Sequence, residues 1–281
     1  MKIWITGENG FIARAFDRHL SHKYCFENSH KNEMYNYWRQ SQFTSKHHSE
    51  IDIFDPTLKT LIERSGVDLI IHTATMIINE DEKYHWMVKN NIEGSYYIAQ
   101  IARELDIPII FIRYKNHNNN LFNWTQNSII SMFKNMNIKY IDIISGELFG
   151  PEDFHGTISQ LLLTSVDRLD IAKIYANLED DLNYTFIDDF LDGLDIVLKN
   201  YQNYLYSKIE ILNDDQKTLE QVIDYMSEEM DIIINFDIKE NNIILTNQEN
   251  KVIKLENWSS KYPFEAALEI TRDLMHDRNR K

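Results

Sequence analysis

The chain has 281 residues, enough to bury a substantial core in one large α/β domain plus a smaller lobe, and its 43% hydrophobic and 26% charged content is ordinary for a globular protein. A formal net charge of −15 with no run of Lys and Arg argues against a nucleic-acid partner, because too little positive charge is concentrated to release counterions. The single cysteine, Cys25, rules out an internal disulfide, and no apolar run approaches the ~18–20 residues of a membrane span.

The first strand is expected at Ile3, Trp4 and Ile5, with no signal-peptide pattern ahead of it, so a reducing cytoplasm is the expected compartment. An amphipathic helix begins at Phe11 and ends near His22. In the tight turn between them Gly7 can take a positive φ, Gly10 lets the backbone approach a pyrophosphate, and Ala13 is small enough for the helix to pack on the strand. Together with the free N–H groups and dipole of the helix N-terminus, this points to a dinucleotide held by Gly7, Asn9, Gly10, Phe11 and Ile12. An ordinary strand-to-helix turn is the plainer alternative; the α/β alternation that follows favours the dinucleotide.

Tyr24 to Phe26 read as the second strand, with Cys25 a buried core thiol, and Asn28 to Glu50 as a polar loop. Near that strand's end an acidic residue would hold an adenosine ribose and a basic one a 2′-phosphate. Glu27 and Asn28 favour NAD, His30 and Lys31 favour NADP, and the choice between NAD and NADP stays open. His47 and His48 lack a carboxylate or cysteine at ligand spacing, so no metal site is expected. Asp55 and Pro56 form an N-cap and first residue for a helix through Arg64. Val67 to His72 is a nearly continuous apolar run, the mark of a parallel strand covered on both faces, and Thr73, Ala74 and Thr75 stand at its carboxyl end, where open α/β sheets place ligands.

A long helix is expected from about Asp81 to Leu105, a strand from Pro108 to Ile112, a polar loop over Lys115 to Asn120, a helix from Leu121 to Met136 and a strand from Lys139 to Ile144. After Gly150 and Pro151 the order becomes less regular. Short strands are expected at Ile171 to Tyr175 and Ile209 to Leu212, and helices at Asp188 to Leu198, Leu219 to Met230 and Phe264 to His276. The expected fold class is α/β: a Rossmann-type doubly wound parallel sheet over residues 1–150, completed by part of 185–215, with a smaller interleaved C-terminal α/β substrate lobe over 151–281.

Seven short segments, in order along nearly the whole chain, resemble motifs of the extended short-chain dehydrogenase/reductase family. Thr6-Gly7-Glu8-Asn9-Gly10-Phe11-Ile12-Ala13 is similar to TGxxGFIG, Glu50-Ile51-Asp52-Ile53-Phe54-Asp55 to DLTD, Ile71-His72-Thr73-Ala74-Thr75 to VIHLAA, and Asn91-Ile92-Glu93-Gly94-Ser95 to NVxGT. Glu147-Leu148-Phe149-Gly150-Pro151 is similar to NVYGP, Phe186-Ile187-Asp188-Asp189 to FVHVDD, and Lys254-Leu255-Glu256-Asn257-Trp258 to KLGW. The members resembled are the NAD-dependent nucleotide-sugar epimerases, dehydratases and 4-keto reductases, and the short loop after the second strand with the Asp52-Ile53-Phe54-Asp55-Pro56 form leans toward the dTDP-4-dehydrorhamnose reductase and GDP-fucose synthase branch. The resemblance implies a nucleotide-linked sugar as substrate and adds Asp52, Ile53, Thr73, Ala74, Thr75 and Asn91 to the cofactor contacts. It also implies a homodimer through the helices near 84–105 and 121–136, which on the sequence alone serve equally well to cover the sheet. Asp188 and Asp189 open a helix in that family rather than act as an acid/base pair, and His72, on a buried run, reads as a core histidine.

The family's chemistry needs a Tyr four residues before a Lys on one helix, the lysine lowering the tyrosine pKa, with a Ser or Thr on the preceding strand. Between Lys115 and Lys139 there is no tyrosine, and the only lysine is Lys134. Depending on register the pair becomes Trp124 and Ser128, or Phe122 and Gln126, none of which titrates near neutrality. The strand position is lost near Arg113 and Tyr114, the active-site loop is shorter by about a dozen residues on this resemblance, and Glu147 replaces an asparagine. The arginine that grips nucleotide phosphates has no counterpart beside Tyr184. Tyr204 and Lys208 have the right spacing but lie in the wrong part of the chain. Tyr114, Lys115 and His117 remain as recruited acid/base candidates. Two functions follow: an NAD(P)-dependent enzyme acting by 4-keto reduction, epimerisation or dehydration with an atypical active site, or a catalytically silent binding or regulatory module that retains the dinucleotide.

Overall fold

The computed structural model describes residues 1–7, 10–24, 36–37, 53–76, 84–115, 121–151, 153, 156–165, 171–174, 176–181, 183–215, 217–234, 236–238 and 252–277. In chain order its elements are β1 (Ile3–Thr6), α1 (Phe11–Tyr24), β2 (Asn36–Tyr37), α2 (Leu58–Ser65), β3 (Leu69–His72), α3 (Tyr84–Val88), α4 (Ser95–Leu105), β4 (Ile109–Tyr114), α5 (Leu121–Asn135), β5 (Tyr140–Ser145) and β6 (Leu148–Phe149). There follow α6 (Thr157–Ser165), β7 (Ala172–Ile174), β8 (Thr185–Phe186), α7 (Ile187–Lys199), β9 (Lys208–Ile211), α8 (Leu219–Glu228), β10 (Phe236–Ile238), β11 (Ile253–Lys254) and α9 (Phe264–Asp277).

Seven strands form one parallel sheet in the order β11-β9-β5-β4-β3-β1-β2. The chain leaves β1 toward β2 on one side and returns to β3 on the other, so the strand order reverses at β1, the position at which open α/β sheets form a crevice outside the strand carboxyl ends. Alternate side chains serve opposite faces. Ile3, Ile5, Leu69, Ile71, Ile110, Ile112, Ile141 and Ile143 pack with α1 and α7, while Trp4, Ile70, Ile109, Phe111 and Tyr140 pack with α2, α4 and α5. Two covered faces explain why these strands read as unbroken apolar runs. The doubly wound parallel architecture expected of the sequence is the one observed.

Several local expectations are corrected. Tyr24 does not open a second strand: it ends α1, its ring 6.4 Å from Phe16 and its hydroxyl donating to the Asp195 carboxylate of α7. The strand beside β1 is instead Asn36–Tyr37, inside the segment read as loop. Cys25, Phe26, the four residues Glu27, Asn28, His30 and Lys31, and His47 and His48 lie outside the described residues. Helix α2 starts at Leu58, because the Asp55 carboxylate takes both the N–H and the hydroxyl of Thr57 (2.7 and 2.6 Å) and holds a turn ahead of the helix. The helix expected over 81–105 is described from Tyr84 and is interrupted by a π-helical segment, Lys89–Gly94. Ile171 is half-exposed and outside β7, and Tyr204 lies in a 3₁₀ turn while Lys208 opens β9, so those two share no helix.

Candidate functional site

At the crevice, Gly7 has φ +82°, and a Cβ there would lie 3.0 Å from both N and Cα of Ala74. Only glycine allows the β1 turn to lie this close to the chain leaving β3. The Gly10 N–H donates to the Gly7 carbonyl at 2.8 Å, and a Cβ on Gly10 would meet that carbonyl oxygen at 2.8 Å. Helix α1 starts at Phe11 with no acidic residue in its first turn, so no carboxylate of its own competes for the N–H groups a helix leaves open. Ile12 is buried and Phe11 lies near Gly150, at whose position a Cβ would also touch Ile187.

The neighbouring tail of β3 is fixed by polar contacts. Thr6 Oγ1 accepts from the N–H groups of Thr73 and Ala74, both at 3.2 Å, and the Thr73 hydroxyl donates to the Thr6 carbonyl at 2.6 Å. With its lone pairs taken, Thr6 Oγ1 is assigned as donor to His72 Nδ1 at 2.7 Å, which leaves Nε2–H to donate to Ser95 Oγ at 2.8 Å. His72 is fully buried and neutral, its pKa pushed down to about 4 by desolvation. Asn91, buried on the π-helical segment, accepts from the Met76 N–H (2.7 Å) and donates to the Met76 carbonyl (2.9 Å) and Thr125 Oγ1 (3.2 Å). It therefore ties the end of the crevice loop to α5, a use of the inserted residue common to such bulges. Gly7, Gly10, Phe11, Ile12, Thr73, Ala74 and Thr75 are thus gathered at the ends of β1 and β3, with Asn91 behind them. Ile53 is buried with Trp4 and Leu58 and packs on Gly94. Asn9, Asp52 and His117 lie outside the described residues.

The second half of the crevice lies at the ends of β4 and β5, which pair in register up to Tyr114 and Ser145. Arg113 turns toward α5, where it forms a two-pronged ion pair with Asp142 (2.6 and 2.8 Å) and a bond to Asn127 (3.0 Å), so it is structural. Tyr114 ends the strand with its ring 6.3 Å from Phe122 at the start of α5. Lys115 follows it, its N–H donating to the Ser145 carbonyl at 2.6 Å. The two candidate pairs fall on different faces of helix α5. Phe122, Thr125 and Gln126 face inward, whereas Trp124 is 52% exposed and Ser128 lines an outward groove. The inward pair is Phe122 and Gln126, and Gln126 Nε2 is buried with no hydrogen-bond partner among the described residues.

Two carboxylates flank Tyr114. Glu147 Oε1 accepts the Thr157 N–H at 2.5 Å, and buried Asp153 accepts the Gly156 N–H at 3.2 and 3.1 Å and the Ser159 hydroxyl at 2.6 Å. Desolvation first and then Asp153 push the Glu147 carboxyl up to about 7, against the lowering effect of Thr157. The same two carboxylates, after desolvation, push Tyr114 upward. Tyr184 is fully buried, its hydroxyl has no hydrogen-bond partner among the described residues, and its phenol is raised by burial and then by Glu147. Asp153 carries no motif, and sequence spacing alone does not reveal it; the only signal is Gly156 three residues on, as in a helix-capping turn. Asp188 pairs with Arg18, and Asp189 accepts from the N–H groups of Lys261 and Tyr262, so both serve the α7 start. Among the described residues no cluster of three or more His, Cys, Asp and Glu could hold a metal ion, and no helix is long and apolar enough to cross a membrane.

No protein-family model matches the sequence, and no curated protein matches it. Solved structures do. The UDP-glucuronic acid 4-epimerase from Bacillus cereus, in complex with UDP-glucuronic acid and NAD, aligns over 99% of this chain and 100% of its own at TM-score 0.74 and 14% identity. MoeE5, in complex with UDP-glucose and NAD, aligns over the same shares at TM-score 0.78 and 10% identity. The dTDP-glucose 4,6-dehydratase from Bacillus anthracis str. Ames, in complex with NAD, aligns over 99% and 97% at TM-score 0.72 and 14% identity. At such identities the likeness carries architecture alone: the chain shares the fold of these NAD-complexed structures.

Proposed function

We propose that this protein binds a nicotinamide dinucleotide, NAD or NADP, and acts on a nucleotide-linked sugar by 4-keto reduction, epimerisation or dehydration. The observation that carries the reading is the crevice between β1 and β3, where the contacts of Gly7 with Ala74 and of Gly10 with the Gly7 carbonyl admit no side chain beside the start of α1. Gly7, Gly10 and the first amides of α1 would hold a pyrophosphate, and the β3 tail at Thr73, Ala74 and Thr75 would line its ribose side. A bound nicotinamide supplies the hydride donor or acceptor for an alcohol or ketone carbon. Neighbours of the same fold that were solved with NAD and UDP-sugars support the cofactor and substrate class. Of the recruited candidates Tyr114, Lys115 and His117, Tyr114 has its ring against Phe122, one of the two residues read at the family's tyrosine position, which places a phenol beside the site.

The second reading is a silent module that keeps the dinucleotide. It is favoured by Phe122 and Gln126, which occupy the inward pair without a titratable group. Purified protein would be denatured and its bound nucleotide identified by mass spectrometry, after which nicotinamide absorbance is followed with a panel of nucleotide 4-keto sugars. Bound NAD or NADP with turnover supports the enzyme; bound nucleotide without turnover leaves the module; no nucleotide bound or taken up refutes both.

The reading extends to a homodimer. Exposed Trp124 and Tyr96 border a shallow groove of about 550 Å³ on the outer face of α4 and α5, floored by Met132 and Met136. An apolar face of this kind is suited to burial against a second copy.

A further inference from the structure

We propose that Glu147 is the proton-carrying group of this site, acting beside Tyr114 where helix α5 turns inward the untitratable Phe122 and Gln126. The inference deepens the enzyme reading above and rests on it. Tyr114 and Glu147 stand at the carboxyl ends of adjacent parallel strands, Tyr114 as the last residue of β4 and Glu147 two residues past the end of β5, on the side of the sheet where the crevice opens. Strand pairing, not sequence proximity, brings them together.

Glu147 forms no ion pair among the described residues, and its described donors belong to Thr157. Among the described residues, the groups that face it are Tyr114 from β4, Asp153 from the turn before α6, Thr157 from α6 itself and Tyr184 from the segment before β8, and none of these is cationic. A carboxyl so placed keeps its proton to unusually high pH, because burial and the Asp153 charge both disfavour the anion. It is thereby poised near neutrality, as an acid or base for alcohol chemistry must be. Capping of α6 does not by itself account for this carboxyl. Asp153 already takes the Gly156 N–H and the Ser159 hydroxyl, and an uncharged acceptor at 147 would serve the Thr157 N–H as well. The buried Tyr184 hydroxyl, with no partner among the described residues and with Glu147 the first of the charges acting on it, is a second polar group left for a ligand on this side. In the step inferred, a substrate hydroxyl gives its O–H proton to a Glu147 carboxylate oxygen during oxidation at that carbon. In the reverse direction the Glu147 carboxylic acid returns the proton to the carbonyl oxygen; a bound nicotinamide would accept or supply the accompanying hydride, which carries the two electrons.

The test uses the full-length protein and two variants, Glu147→Gln and Asp153→Asn. The carboxyl is followed by infrared titration with ¹³C-labelled glutamate, and dinucleotide affinity by calorimetry with NAD. The expected result is one glutamate titrating near 7 that disappears in Glu147→Gln, moves down in Asp153→Asn, and leaves NAD affinity within about twofold of the parent in Glu147→Gln, since the dinucleotide groups are on β1 and β3. UDP-glucose, UDP-glucuronic acid and dTDP-glucose serve as turnover probes, with Glu147→Gln expected to lose at least ~100-fold in kcat and the pH dependence near neutrality. A Glu147 carboxyl titrating in the ordinary glutamate range, or a Glu147→Gln variant as active as its parent, overturns the inference while leaving dinucleotide binding intact. So does NAD-loaded parent protein that turns over none of the three probes. Failure of the parent to bind NAD at all strikes instead at the function on which the inference rests.

Discussion

The Thr6, His72 and Ser95 chain makes a quantitative prediction about pH. His72 sits fully buried with Thr6 assigned as donor to Nδ1 and with the ring of Phe111 stacked 5.7 Å away, and no charged group contacts it among the described residues. Protonation would place a second N–H against the Thr6 hydroxyl, whose oxygen already serves Thr73 and Ala74. In the folded state the pKa is therefore lowered from the ordinary 6.5 to about 4. Above the unfolded value both states are neutral and the stabilisation is complete. As pH falls below it the unfolded chain takes up the proton first, and stability is lost until the folded value is reached, below which the loss levels off. At ~1.4 kcal/mol per factor of ten, the loss attributable to His72 is about 3 kcal/mol over that window. The assay is urea unfolding of the parent and of His72→Gln, whose amide retains one donor and one acceptor but does not titrate, at ~pH 7, ~pH 5.5 and ~pH 4.5. Carboxylates elsewhere titrate equally in both proteins and cancel in the difference. The stability advantage of the parent should shrink by about 2–3 kcal/mol between the extremes; an advantage that stays constant with pH would refute a neutral, hydrogen-bonded His72 core.

Gly7→Ala should lower stability by about 1–3 kcal/mol, from a positive φ and a 3.0 Å approach to Ala74, and remove NAD binding in calorimetry; an unchanged urea midpoint and affinity would contradict the crevice geometry. Asn91→Ala leaves the Met76 N–H and carbonyl without their partner and should cost about 2–3 kcal/mol in thermal unfolding, with weaker dinucleotide binding because the β3 tail is released. Arg113→Met alone should cost about 3–5 kcal/mol by stranding buried Asp142, whereas Arg113→Met with Asp142→Leu should recover most of it; equal losses in both would mean that the stranded carboxylate is not what destabilises the single variant. Trp124→Glu, at a 52% exposed position, should leave the unfolding midpoint within about 0.5 kcal/mol but convert a dimer to a monomer in light scattering, and a parent already monomeric would end the dimer proposal.

The central strands and the glycine turn are legible because their signals are local and strong. Leu69–His72, Ile109–Tyr114 and Tyr140–Ser145 are apolar on consecutive positions, and only a strand covered on both faces asks for that. Strands β2, β6, β8, β10 and β11 have two or three residues each, with no periodicity to read, and exist because a neighbour's backbone is available to pair with them. Tyr24 misleads for the same reason: its aromatic ring suits a strand, but the Asp195 carboxylate across the interface holds it at the end of a helix.

The doubly wound architecture, the glycine turn at Gly7 and Gly10, and the absence of a Tyr-x-x-x-Lys pair from the helix after β4 are readable from the chain, since each is written in residue type and short spacing. Tertiary structure alone decided that Phe122 and Gln126, not Trp124 and Ser128, face inward. It also brings the charges of Glu147 and Asp153 to bear on Tyr114 across more than thirty residues of chain. The physical reason is that the facing of a helix and the pairing of parallel strands depend on burial against distant partners, and a carboxyl's proton affinity depends on what surrounds it rather than on its neighbours in sequence.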